Sequence, residues 1–166
     1  MRVLVVYGTK RAGTFGIADM IGDHLTEAGI DTDVRPADHR VAVADYDAVI
    51  VGGALYANRW HRHARRFVKR HAAVLRTRPV WLFSSGPLDD SASTTEIPPV
   101  PQVRKLADRV DARGHVTFGG RLAPDASGFP AGAMAKTHSG DWRDPARIRA
   151  WAGTVATELL PATHAG

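Results

Sequence analysis

Thr9 and Thr14 bracket a short stretch, Lys10-Arg11-Ala12-Gly13, where an apolar run gives way to helical spacing. Two hydroxyls, small residues and the free N–H groups of a helix start are what a phosphate needs. Two common nucleotide motifs do not fit. A Walker A loop would have the spacing of Gly8 to Gly13 but requires Lys-Ser/Thr next, where Thr14-Phe15 stands. A dinucleotide fingerprint needs a glycine two residues after Gly8, and Lys10 falls there. The pattern suits a single dianionic phosphate at a helix N-terminus. A tight strand-to-helix turn with a Thr N-cap accounts for the same residues without a ligand.

Two later stretches add groups that suit a flat heterocycle. In VGGALYANRWH, Tyr56 follows the third apolar run, and the small Gly53, Ala54 and Ala57 beside Leu55 would let its ring approach. Trp60 shares helical spacing with Ala64 and Phe67 and reads as core. In FSSGPLDD, the hydroxyls of Ser84 and Ser85 and the backbone of Gly86 suit a heterocycle's polar edge, with Pro87 and Leu88 over its face. The same SSGP is also an ordinary turn. His61, His63 and His71 raise the question of a metal, but His61 and His63, two apart on a helix, would not share a face. No metal is expected. Ser84 and Ser85 lack a nucleophile elbow, and Asp89, Asp90 and Glu96 have no identifiable acid/base partner, so no catalytic side chain is named.

The elements that must position these groups follow from periodicity. Apolar runs of strand length occur at Arg2–Tyr7, Asp47–Val51, Pro79–Ser84 and His115–Phe118, with a short alternating strand at Ile30–Arg35. Helical spacing begins at Thr14 (Ile17, Met20, Ile21, Leu25, Ala28, with Gly29 as C-cap), near Arg59, and over Gln102–Ala112. A last helix is capped by Asp144 with Pro145 in its first turn. Ser85–Pro101 reads as a loop and Arg121–Arg143 as irregular. Apolar strands alternating with amphipathic helices indicate an α/β, doubly wound parallel sheet, in one domain over residues 1–166. Ligands of such sheets bind beyond the carboxyl ends of the strands, where these three stretches fall.

Composition narrows the classes further. The chain has 166 residues and no cysteine, which excludes disulfides, thiolate metal sites and Cys nucleophiles. No apolar run approaches the roughly 18 residues of a membrane span, so a cytoplasmic protein is expected, with peripheral contact at the inner membrane face left open. The net charge is +5, and eight Arg/Lys and three His lie between Arg59 and Arg78 with no carboxylate. Such a stretch attracts acidic partners or is a solvated helix face. No interleaved aromatics accompany it, so nucleic acid is not expected.

Together the three stretches resemble the flavodoxin family. Thr9 to Thr14 look like its flavin phosphate loop, and Tyr56 falls where that family places an aromatic against the isoalloxazine. The resemblance implies FMN as cofactor and a five-stranded sheet of order 2-1-3-4-5. It further implies a site formed by Thr9, Lys10, Arg11, Ala12, Gly13, Thr14, Ala54, Leu55, Tyr56, Ala57, Ser84, Ser85, Gly86, Pro87 and Leu88. VGGALYANRWHRHARRFVKRH and the late FGGRL, GDWRD and IRAWA segments are similar to the flavodoxin-like branch that contains menaquinone-dependent protoporphyrinogen IX dehydrogenases. That branch implies an oxidoreductase of heme biosynthesis, a porphyrin-like substrate, a quinone or redox protein as acceptor, and room for a homodimer. The alternatives are a one-electron carrier without a substrate of its own and a module that has lost its flavin.

Overall fold

A computed structural model describes residues 1–9, 12–37, 40–122 and 140–161. Its sheet is built from β1 (Arg2–Gly8), β2 (Asp31–Pro36), β3 (Ala48–Tyr56), β4 (Arg59–Trp60), β5 (Val80–Ser85) and β6 (Gly114–Phe118). Five of these run parallel in the order β2-β1-β3-β5-β6, which is 2-1-3-4-5 when the parallel strands alone are counted. β4 is the exception, an antiparallel arm on β3. The central strands are apolar on both faces because helices cover both. Val3, Val5, Ile50 and Phe83 point into one layer with Ile17, Ile21 and Leu25 of α1 (Ala12–Glu27) and Ile148 and Val155 of the C-terminal helix. Leu4, Val6, Val49, Val51 and Leu82 point into the other, against α2 (Arg62–Arg70), α3 (Ala72–Leu75) and α5 (Pro101–Val110).

Local signals explain most element ends. Gly29 ends α1 with φ +88, a conformation that disfavours a Cβ. The C-terminal helix, α6 (Pro145–Leu159), starts as its sequence indicates: Asp144 accepts a hydrogen bond from the Arg147 N–H at 3.2 Å, and Pro145 occupies the first turn.

Four sequence expectations are corrected. The third strand does not stop at Val51 but runs through Gly52-Gly53 to Tyr56. Trp60 is not on a helix. Ala57 and Asn58 both take positive φ (49° and 60°), the requirement of a two-residue hairpin turn, and the chain returns as β4 before α2 begins at Arg62. The segment after β5 holds a short helix, α4 (Ser91–Thr94), and the segment before α6 contributes a small antiparallel pair, β7 (Arg121–Leu122) with β8 (Gly140–Asp141). Residues 123–139, within the stretch expected to be irregular, lie outside the described residues.

Gly52 and Gly53 stay in the strand because the space a side chain would need is taken. A Cβ on Gly52 would overlap the Phe83 ring, and one on Gly53 would come within 2.7 Å of the Trp60 indole. Phe83 belongs to one apolar layer and Trp60 to the other. Gly52→Ala should therefore destabilise the protein by about 1–3 kcal/mol through overpacking, read as a lower urea midpoint at unchanged m-value. An unchanged midpoint would show that Phe83 is free to move aside.

Candidate functional site

The site is set by register. Gly8 pairs with Gly53, and Ser85 with Ala54, so β1 and β5 end within one residue of each other along β3, which runs on to Tyr56. The loops that follow them leave from one rim of the sheet, at the point where the chain switches direction between β1 and β3. This is where doubly wound sheets hold ligands.

The first loop reaches α1 within a few residues. Thr14 is only 2% exposed at the third position of the helix, and Gly13 beside it is buried. Lys10 and Arg11 lie outside the described residues. No acidic residue occupies the first turn of α1, so no side-chain counter-charge from that turn offsets its positive dipole end. Close by, β7 and β8 bring in a group that the sequence reading missed. Asp141 accepts three hydrogen bonds from Arg143, Nε to Oδ1 at 2.9 Å, Nη2 to Oδ2 at 2.7 Å and the backbone N–H to Oδ1 at 3.1 Å, with Arg121 Nε at 3.9 Å. The hydrogen bond from Arg143 is the main reason the Asp141 carboxyl lies below its ordinary range. A Cβ on Gly13 would come within 3.3 Å of Arg121, and one on Gly16 would overlap the Arg143 guanidinium. Neither long-range approach leaves a local signal beyond the glycines themselves.

The second loop is the β3–β4 hairpin. Leu55 pairs with Trp60 and Tyr56 with Arg59; Ala54 is buried, Leu55 and Tyr56 are half-buried, and Ala57 is exposed at the turn. The Tyr56 ring packs edge-on to His61 at 6.0 Å. Beneath it Trp60 is 1% exposed, consistent with the core role read from its spacing. Its indole Nε1 donates to Ser84 Oγ at 2.9 Å, Ser84 Oγ lies 2.9 Å from His115 Nε2, and the Trp60 backbone N–H donates to Gln102 Oε1 at 2.9 Å. Ser84 thus has its hydroxyl taken up inside the protein. Neither His115 nor Gln102 was singled out by the sequence, where they read as part of an apolar strand and of a helix start.

The third loop is pinned rather than free. Gly86 N–H donates to Phe118 O at 3.2 Å, Gly120 N–H to Pro87 O at 2.9 Å, and Trp142 N–H to Gly120 O at 2.9 Å. Ser85 is buried, while Gly86, Pro87 and Leu88 are half-buried. Gly86 lies against Leu55, so close that an added Cβ would sit 2.9 Å from Leu55 Cβ. The structure therefore brings the second and third loops into contact.

Among the described residues no group of three or more His, Asp or Glu is placed to hold a metal ion. The reason given from sequence is corrected, however. His61 stands outside α2 as its N-cap, and its ring lies 4.8 Å from that of His63, whose N–H it accepts at Nδ1. Among the described residues no helix is long and apolar enough to cross a membrane.

A family model described as a flavodoxin domain matches residues 4–164. Protoporphyrinogen IX dehydrogenase (quinone) of Escherichia coli K12 is 31% identical over 87 residues, which are 51% of this chain and 48% of that one. The chain thus spans about half the length of the curated relatives it matches. A flavodoxin of Streptococcus pneumoniae TIGR4 superposes with a TM-score of 0.65 at 17% identity, covering 96% of this chain and all of that one. Rubredoxin oxygen:oxidoreductase of Desulfovibrio gigas gives 0.63 at 11% identity, with 95% of this chain and 36% of that one covered. These structural likenesses establish the fold.

The buried chain from Trp60 to His115 has a measurable consequence. Burial, and then Arg104, lower the His115 pKa from 6.5 to about 4, so the imidazole is neutral at pH 7. The unfolded chain binds this proton more readily, so the stabilisation is complete above pH 6.5 and is lost as pH falls towards 4. The wild type should lose on the order of 3 kcal/mol more than His115→Gln over that window, by urea unfolding at each pH. Parallel pH profiles would remove His115 from the account.

Proposed function

The chain belongs to the flavodoxin-domain family, and on that premise we propose that it is an FMN-dependent oxidoreductase for a protoporphyrinogen-like substrate, passing electrons to a quinone or a redox protein. Membership makes it an FMN-binding redox protein; the substrate and acceptor are the proposal. The register that ends β1 and β5 within one residue of each other beside the β3 hairpin, and so gathers the three loops on one rim, carries it. The groups present fit the cofactor. Thr9 and Thr14 offer hydroxyls at the N-terminus of α1, in the same segment as Lys10, Arg11, Ala12 and Gly13, and would hold the phosphate. Ala54, Leu55, Tyr56 and Ala57 on the hairpin would lie against the ring system. Ser85 and the backbone of Gly86 would meet its polar edge, with Pro87 and Leu88 over its face and Ser84 bracing that loop from inside.

Bound FMN would supply the electron chemistry itself. The chain's part is to bind, orient and exclude water, and among the described residues no side chain at the rim is assigned as an acid or base. A role in heme synthesis, at the inner face of the membrane or in the cytoplasm, follows from likeness to the dehydrogenase. The second reading, a carrier that only exchanges electrons with other proteins, is favoured by the exposed cations next to the hairpin.

Two experiments test this reading. Thr14→Val keeps the buried volume and removes the hydroxyl, so FMN should bind several-fold to ~100-fold more weakly while riboflavin, which lacks the phosphate, is unaffected. Unchanged FMN affinity in an intact fold would move the phosphate elsewhere. In the second, the FMN-loaded protein is mixed anaerobically with protoporphyrinogen IX. Flavin absorbance near ~450 nm should bleach as porphyrin appears, and return when a quinone is added. No porphyrin, with a flavin that still exchanges electrons with redox proteins, would leave the carrier.

A further inference from the structure

From Ala48 to Leu88 the sequence contains no Asp or Glu. Its cations are not scattered over the fold. Successive residues of a helix turn by about 100°, which places Arg62, His63, Arg66, Lys69 and Arg70 in one arc of α2, opposite the buried Ala64, Phe67 and Val68. All five are exposed, and exposed Arg59 continues the stripe onto the hairpin, where it pairs with Tyr56. Among the described residues the ion pairs involve Arg2, Arg121 and Arg143; none lies on α2. The first turn of α2 holds cations and no acid, against the preference of a helix N-terminus. Helix stability therefore gives no reason for this arrangement.

The stripe is about 13 Å long over the nine residues of the helix. A small substrate with two carboxylates would engage two of its cations and leave the others unused. A bilayer is a poorer match, because the apolar side of α2 is already buried in the core. Among the described residues the exposed large hydrophobic ones, Met1, Phe15 and Leu160, also lie outside residues 59–78. A face that is charged, polar and without an apolar centre fits a small, transient, charge-steered protein contact. We propose that Arg59 and the exposed stripe of α2 are the docking surface for an acidic redox protein, whose redox centre is thereby held beside the Tyr56 hairpin. The inference rests on the proposed position of the flavin at that rim. With FMN bound, docking would let one electron pass from the reduced flavin, oxidised in the exchange, to the partner's oxidised iron–sulfur cluster, which is reduced.

The test uses the full chain loaded with FMN and an acidic plant-type [2Fe–2S] ferredoxin as probe, with basic cytochrome c as the like-charge control. Association should be at least ~10-fold slower at 0.15 M than at 0.01 M salt, where the Debye length grows from about 8 to 30 Å. Arg62→Glu/Arg66→Glu should slow it a further ~10-fold or more at low salt, and cytochrome c should show neither effect. Retained FMN and an unchanged circular dichroism spectrum establish the variant's fold; if it fails to fold, Lys69→Gln/Arg70→Gln serves, with a smaller loss. Ferredoxin association that ignores both salt and variant overturns the proposal. So does stripe-dependent binding to phosphatidylserine vesicles without ferredoxin binding, which would assign the face to a bilayer. Loss of FMN affinity is scored separately by titration: ferredoxin that docks on a chain unable to hold FMN supports the surface while the flavin reading fails.

Discussion

Both apolar layers of the protein close on Gly52 and Gly53. Phe83 fills the space over the first from one side, and Trp60 fills the space over the second from the other. Strand β3 can carry two large aromatic neighbours on successive residues only because neither has a side chain. That constraint propagates. With Trp60 held against β3, the chain leaving Tyr56 must turn within two residues, and Ala57 and Asn58 take positive φ to do so. The indole N–H, now buried, needs an acceptor and finds Ser84 at the end of β5. The hairpin, the rim of the sheet and the third loop are thus positioned by one close approach rather than by three independent choices.

The same packing explains a division of charge across the fold. Inside, Ser84 lies between an indole donor and a histidine whose burial keeps it neutral, so the polar interior beneath the rim carries no ionic charge from this group. Outside, the cations of α2 stand in solvent with their apolar neighbours in the core. On the α1 side Asp141 neutralises Arg143 and leaves Arg121 at a longer 3.9 Å. Two helix N-termini without acidic first turns, those of α1 and α2, start near this rim. Their dipoles and the cations add with the same sign, so the electric field there favours anions.

Much of this was legible in the sequence. The alternation of strands and helices, the two-layer core and the Asp144-Pro145 helix start follow from periodicity and end signals acting over a few residues, while the strand order came with the flavodoxin resemblance. The misreadings share a cause. Gly52-Gly53 and the helical spacing from Trp60 onward were read locally, whereas both are set by contacts with residues distant in the chain. A pair of glycines ends a strand by propensity but remains in one when two aromatic rings need the room. The Asp141–Arg143 clamp over Gly16 and the burial of His115 left no pattern at all, because each joins segments separated by long stretches of chain. The chemistry-bearing residues were easier to find than their partners, since loops at strand ends have composition signals and buried networks do not.

The fold fixes where chemistry happens and leaves the reaction to the surface around it. Flavodoxin-like structures at 11–17% identity share this architecture with the chain over 95–96% of its length, so nothing in the sheet itself separates an enzyme from a carrier. The separation must come from what the rim admits. Its third loop is held by backbone hydrogen bonds to β6 and its neighbours, and its hairpin is stiffened by a buried tryptophan, so neither side resembles a surface that reshapes around its target. What differs from side to side is charge. The chain carries a net +5, and the carboxylate-free stretch beside the hairpin holds eight of its 22 Lys and Arg residues. A porphyrinogen with its carboxylates and an acidic protein with its redox centre are opposite answers to the question of reaction type. They are the same answer to the question of charge, which is why the approach path is better determined by this structure than the molecule that takes it.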